Sequence, residues 1–115
     1  MTTLLGLFCV AAGAGIPAYW AMARREGWED RPREWSTHLA AELLLAAGLV
    51  AAGVGLLAEG WTAQLPAAAA LGALLYAVVN VLGFFAQRED RPMVAGMAVQ
   101  GLLVTAALAA VLAGP

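Results

Sequence analysis

Four long apolar segments dominate the sequence and restrict what the chain can fold into. Each has about 20 mostly apolar residues, the length that an α-helix needs to cross the hydrocarbon core of a bilayer. Only helices and closed barrels satisfy the backbone inside lipid, and these segments do not alternate as barrel strands do. The sequence therefore predicts an all-α integral membrane protein, a four-transmembrane-helix bundle forming a single domain over residues 1–115. The predicted spans are 4–23, 39–58, 65–86 and 93–113, and the polar loops are 24–38 and 87–92.

The composition argues against a water-soluble domain. The chain is 63% hydrophobic and 12% charged, with a mean hydropathy of +0.80. Soluble domains have about 45–50% apolar and about 25% charged residues, and a domain this small buries only about 60% of its chain surface. The first segment lacks the positively charged start of a signal peptide, so we interpret it as a retained span. The lipid bilayer is therefore the first predicted partner.

The arginines predict the orientation of the four spans. The chain has six Arg and no Lys, and every Arg lies in one of the two polar loops. Positively charged loops stay in the cytoplasm, so both termini are expected outside it (N-out/C-out), with the bacterial cytoplasmic (inner) membrane as the expected location. Nothing resembles the basic stripe of a nucleic-acid-binding protein, and we expect no nucleic-acid partner. The arginines are Arg24, Arg25, Arg31, Arg33, Arg88 and Arg91.

The tetrapeptide EDRP occurs in both polar loops, at 29–32 and at 89–92. Each copy would connect an inward-running span to its return partner. One interpretation is a duplication that produced two related helical hairpins. The other is independent use of a good polar turn, since Asp and Pro both favour turns. The sequence leaves both interpretations open.

Six polar side chains lie in or beside the spans. Glu42, Asn80 and Gln100, on the second, third and fourth spans, fall about 10 Å inside the cytoplasmic interface, at about 1.5 Å per residue. A carboxylate at the centre of a membrane-spanning helix costs about 2.5–3.5 kcal/mol on insertion scales, so Glu42 within its span must face inward and find a partner or a proton. His38 lies one turn away on the same helical face and is of the residue type that most readily relays protons. The residues predicted to line one cytoplasm-facing polar pocket are Glu42, His38, Asn80, Gln100, Tyr76 and Gln87.

Three functions fit this pattern. The leading hypothesis is binding, and proton-coupled transport, of a small polar or cationic solute, with a homodimer supplying enough enclosed volume. The second is a structural or accessory membrane subunit, because Asn and Gln often join transmembrane helices. The third, less favoured, is a membrane enzyme that uses His38 and Glu42 as an acid–base pair on a lipid-soluble substrate. One His and one remote Cys predict no metal site, and nothing predicts a cofactor.

Three resemblances accompany these hypotheses. The size and four-span plan resemble the small multidrug resistance transporters, which carry one membrane-embedded Glu in the first span, whereas Glu42 lies in the second. The stretch His38-Leu-Ala-Ala-Glu42 resembles the His-xxx-Glu face of sterol-isomerase-type membrane domains over five residues. Together with Tyr76-xxx-Asn80-xx-Gly83-xxx-Gln87, it resembles small bacterial membrane proteins of unknown function. The resemblances imply a membrane bundle and assign no activity.

Overall fold

The computed structural model describes residues 1–23 and 32–115. These residues form four α-helices and one short 3-10 turn, so the predicted all-α class is confirmed for the described part of the chain. Each of the four predicted apolar spans falls within one helix. The helices are α1 (Thr2–Ala23), α2 (Pro32–Glu59), α3 (Gln64–Gln87) and α4 (Arg91–Ala113), and the 3-10 turn Gly60–Ala63 joins α2 to α3.

The helices are long and apolar. By length and composition alone, three helical stretches could cross a membrane: Thr2–Ala21, Arg33–Gln87 and Arg91–Ala113. The second stretch has 55 residues because it contains α2, the 3-10 turn and α3 in succession. Both α1 and α4 are therefore candidate spans in their own right, and α2 and α3 together form a helical hairpin.

Helix α2 begins earlier than its apolar span. Residues 32–38 were predicted to be loop, but they form the first two turns of the helix. Pro32 suits the first turn of a helix, Glu34 complements the helix dipole there, and no Gly or further Pro interrupts residues 33–38. His38 is therefore fixed on a helix. The predicted loop residues Arg24, Arg25, Trp28 and Arg31, with most of the first EDRP copy, lie outside the described residues.

Helices α1 and α2 are in backbone contact through glycines. A Cβ atom added to Gly13 would lie 2.8 Å from the carbonyl oxygen of Ala46, and one added to Gly53 would lie 2.7 Å from the carbonyl oxygen of Gly6. Only a residue without a side chain fits such an approach, which in lipid lets helices gain van der Waals contact and Cα–H···O bonds. This α1–α2 glycine contact (Gly6, Gly13 and Gly53) holds together α1 and α2, which form the first hairpin.

The small residues Ala47, Ala51 and Gly55 form a second ridge on α2, which the sequence predicts to pack closely either within the bundle or in a homodimer seam. Ala47 and Ala51 are exposed and Gly55 is partly buried, so this ridge is not the α1–α2 contact. The heptad spacing of Gly6 and Gly13 on α1, matched by Ala46 and Gly53 on α2, is the pattern that the packing uses.

One apolar core joins all four helices. Cys9, Leu49, Leu71, Val104 and Val111 are 0% exposed and belong to the same buried cluster. Cys9, the one cysteine of the chain, is thus a small buried residue of the core. At the end of the molecule away from the EDRP loops, the Gln64 side-chain amide donates to the carbonyl of Val111 at 2.7 Å, which satisfies a carbonyl in the last turn of α4.

The second EDRP copy ends one helix and starts the next. The amide of Asp90 donates to the carbonyl of Phe85 and the amide of Glu89 to that of Ala86, which together form a Schellman motif. Glu89 occupies the left-handed position of this motif, with φ 56°, where glycine is usual. The Asp90 carboxylate then accepts from the amide of Met93 at 3.4 Å and caps α4. The second copy therefore starts α4 at Arg91, and the described part of α2 starts at Pro32, the last residue of the first copy.

Substitution of the glycines separates close packing from helix propensity. Gly53→Ala should lower the free energy of unfolding by about 1–3 kcal/mol, because the new methyl group meets the backbone of α1. Gly48→Ala on the same helix meets nothing within 4 Å and should be neutral, or stabilising by up to about 1 kcal/mol. Denaturant titration in detergent micelles, followed by circular dichroism, measures both. Equal losses at the two positions would contradict the α1–α2 glycine contact.

Substitutions at two neighbouring positions of the α3–α4 turn should change the free energy of unfolding in opposite directions. Glu89→Gly should raise the free energy of unfolding by about 1 kcal/mol, because an L residue is strained in the left-handed region. Asp90→Ala should lower it by about 0.5–2 kcal/mol through loss of the cap, whereas Asp90→Asn should keep most of it. The same titrations measure these variants. If Glu89→Ala stabilised the protein as much as Glu89→Gly, the left-handed conformation of residue 89 would be contradicted.

Candidate functional site

The structure brings two of the six predicted site residues into contact. His38 and Glu42 lie one turn apart on α2, and Nε2 of His38 is 3.4 Å from Oε1 of Glu42. The two side chains differ in their access to solvent: 45% of the His38 side chain is exposed, but only 12% of the Glu42 side chain. The imidazole therefore lies between the carboxylate and the surface of the protein.

Aromatic rings close this end of the first hairpin. The ring centroids of Trp20 and Trp35 are 5.6 Å apart, and those of Trp20 and His38 are also 5.6 Å apart. Trp35 and His38 complete the triangle at 6.0 Å, and all three pairs meet edge to face, the favoured geometry for aromatic rings. We call Trp20, Trp35 and His38 the aromatic triangle. A ring triangle this compact leaves no room for a solute between its members.

The spacing of residues along the two helices explains why the triangle forms where it does. Gly6, Gly13 and Trp20 follow one another at intervals of seven on α1, so all three face α2. The first two positions are glycine and the third is tryptophan. Since Gly13 meets Ala46 and Trp20 meets His38, Glu42 lies between these two levels, where the tight contact gives way to the bulky rings.

The other four predicted site residues lie elsewhere. Tyr76, Asn80 and Gln87 are exposed on α3, with Tyr76 72% exposed, and Gln100 is partly buried on α4. In the described part of the chain no hydrogen bond joins any of them to Glu42 or His38. The single polar pocket shared by three helices stays a prediction, and the His38–Glu42 pair is the part of it that has a defined contact.

An open groove runs along the outside of the α2–α3 hairpin. It has a volume of about 730 Å³ and contains none of the six predicted site residues. Small side chains form most of its walls, and Glu59 and Thr62 lie at its end near the 3-10 turn. The small residues that line the groove include Gly48, Ala51, Gly55, Ala69 and Ala73.

Trp35 was not among the six site residues predicted from the sequence, although it belongs to the aromatic triangle. The signal was present in the spacing, because Trp35 lies three residues before His38 and seven before Glu42 on one helical face. Among the described residues no cluster of three His, Cys, Asp or Glu side chains could hold a metal ion. The His38–Glu42 pair combines an imidazole with a carboxylate, two groups that can transfer protons and form an ion pair.

Comparison with known proteins identifies the family and names no activity. The family described as a domain of unknown function, DUF8058, matches residues 1–114. No curated protein and no solved structure matches the chain. Because the match covers almost every residue, the chain belongs to the family Domain of unknown function (DUF8058).

Proposed function

We propose that the chain is an integral membrane protein whose four α-helices cross the bilayer as one bundle. The outward-facing side chains support this proposal. Large apolar residues are exposed on every helix, and the described residues include no buried polar or charged side chain. In water such a surface would be a liability, whereas in lipid it is the favourable one. Examples are Leu4 (67% exposed), Leu44 (76%), Leu65 (80%) and Leu102 (73%).

The bundle would lie in a bacterial cytoplasmic membrane with both termini outside the cytoplasm. The arginines support this orientation: all six lie in the two polar segments of the sequence, and the described ones, Arg33, Arg88 and Arg91, lie near the start of α2 and at the turn between α3 and α4. Arg88 lies there with its guanidinium 4.3 Å from the centre of the Phe84 ring, a pairing suited to the headgroup region. The His38–Glu42 pair would then lie near the cytoplasmic face.

Reporter fusions test the orientation. Alkaline phosphatase fused after Pro115 should be active, and green fluorescent protein at the same place should be dark, because the C-terminus is extracytoplasmic. The matched control inserts each reporter in the 87–92 loop, where the pattern should reverse. Substitution of Arg88 and Arg91 by Gln should weaken the preference of the 87–92 loop for the cytoplasmic side. Fluorescent C-terminal fusions would contradict the orientation.

We further propose that the protein binds a proton or a small cation at Glu42 and uses their exchange in proton-coupled movement of a small polar or cationic solute. The observation that carries this proposal is the isolation of Glu42: it is the only carboxylate within the four spans, its side chain is 12% exposed, and its polar neighbour is His38. A charged carboxylate at this depth is costly, so it gains from a proton or a paired cation.

The aromatic triangle gives this exchange a route. His38 is the one member of the triangle with a proton to pass, and it spans the distance between the surface and Oε1 of Glu42. Trp20 and Trp35 exclude other access from the same side by packing against the imidazole. A proton would thus reach Glu42 through His38, and a small cation would enter only when the rings separate.

Proteoliposomes loaded with a pH-sensitive dye test this function. With sodium, potassium or methylammonium as the added cation, the wild type should release protons on cation entry, and Glu42→Gln should reduce that release to the level of empty liposomes. Glu59→Gln, which removes an exposed carboxylate at the far end of α2, is the matched control and should behave as the wild type. His38→Phe should slow the release while keeping an aromatic ring in the triangle.

The outcome separates function from structure. If Glu42→Gln kept full cation-dependent proton release, the proposal would be lost. If it kept release and also lowered thermal stability, the His38–Glu42 contact would be a structural contact within α2. Circular dichroism of each variant establishes that the helices are retained.

One observation favours the accessory-subunit function as a second candidate. Asn80 carries its amide on the exposed side of α3, at a depth where lipid offers no hydrogen-bond partner. A polar group in that position fits contact with another polypeptide. Co-purification of a stoichiometric second protein in mild detergent, lost on Asn80→Leu, would support this candidate over transport.

A further inference from the structure

One side of α3 is exposed along almost the whole helix. Its residues recur at alternating intervals of four and three, the spacing of a coiled-coil seam. Tyr76 is the largest of them and is 72% exposed. We call this set the α3 outer face; its members are Ala69, Ala73, Tyr76, Asn80, Gly83 and Gln87, and each of them is exposed.

The amide of Asn80 shows that lipid alone does not suit the α3 outer face. Asn80 is exposed and makes no side-chain hydrogen bond among the described residues. It lies about two turns from the end of α3, about 10 Å inside the interface at about 1.5 Å per residue. An amide facing hydrocarbon gains free energy by pairing with another polar group, which must come from outside this chain.

A second copy of the chain supplies that group at the right depth. Copies inserted in the same orientation are related by a two-fold axis along the membrane normal, so Asn80 of one meets Asn80 of the other. A carboxamide both donates and accepts hydrogen bonds, so two of them are self-complementary. A different partner would need a polar side chain that happened to match this depth.

The neighbouring groove extends the contact. Ala69 and Ala73 belong to the α3 outer face and also line the groove beside α2, where Gly48, Ala51 and Gly55 form the opposite wall. Small residues let helices approach closely in lipid, so the half of the α3 outer face away from Asn80 can pack tightly as well. The 4–3 spacing suits a left-handed crossing of about +20°.

We propose that two copies of the chain pair through the α3 outer face, with their Asn80 side chains hydrogen-bonded across the two-fold axis. The pairing rests on the membrane insertion proposed above and is independent of proton exchange at Glu42. Both members of the His38–Glu42 pair lie on α2, on the face that packs against α1.

Cysteine cross-linking in native membranes tests the surface. In a Cys9→Ala background, Tyr76→Cys should form a disulfide-linked dimer on mild oxidation. Leu102→Cys on α4 is the matched control: it is 73% exposed against 72% for Tyr76, and it lies at the same level, because Gly101 meets Val78. It should stay monomeric. Equal cross-linking at both positions, no dimer at Tyr76→Cys, or a cross-link to a protein of another mass would overturn the proposal.

Fluorescence energy transfer between labelled copies in lipid vesicles tests the amide itself. Asn80→Leu should raise the dimer dissociation constant about tenfold, which corresponds to about 1.4 kcal/mol, and Asn80→Gln should keep it within about threefold. Val99→Ala, on the exposed side of α4, is the control and should have no effect. An unchanged dissociation constant for Asn80→Leu would overturn the proposal, and the reporter fusions at Pro115 would show separately whether the chain is inserted.

Discussion

The backbone contact between α1 and α2 determines the rest of the architecture. The two helices approach so closely at Gly6, Gly13 and Gly53 that a single added methyl group would collide with the neighbouring helix. Trp20 lies on the same face of α1 as Gly6 and Gly13, so its bulky indole requires a wider spacing of the two helices at that level. The aromatic triangle forms where the close approach ends, and Glu42 lies just inside that boundary. The site is thus a consequence of how the helices pack, since it occupies the transition from tight to wide spacing.

The distribution of polar groups distinguishes the two hairpins. In the first, Glu42 is mostly covered, and its polar neighbour His38 connects it to the surface. In the second hairpin, which consists of α3 and α4, Tyr76 and Asn80 face outward. The opposite side of α3 supplies Leu71, Leu74 and Val78 to the core. One hairpin therefore holds a polar pair in contact within the chain, and the other exposes its polar groups. The two proposals, proton exchange at Glu42 and pairing through α3, accordingly use different helices.

Hydrophobic periodicity and length predicted the helices well, because about 20 apolar residues leave the backbone few alternatives in lipid. The start of α2 was missed, since residues 33–38 are polar except for Trp35 and resemble a loop in composition, although nothing among them breaks a helix. The sequence predicts similar depths for Asn80 and Glu42 along their helices, but depth does not fix the direction in which a side chain points. The rotation of α3 follows from which of its residues pack against α4. That choice depends on complementary shapes, such as Val78 against Gly101, which one-dimensional spacing does not encode.

The central claim is that Glu42 exchanges a proton for a small cation. Infrared difference spectroscopy of the protein in lipid bilayers measures this at the carboxyl group itself, through the carbonyl stretch of a protonated acid, assigned by its disappearance in Glu42→Gln. On addition of sodium, potassium or methylammonium at constant pH, the account predicts that this band decreases as the carboxylate band grows. A Glu42 carboxyl band that stays constant on addition of every cation and across the accessible pH range would contradict it.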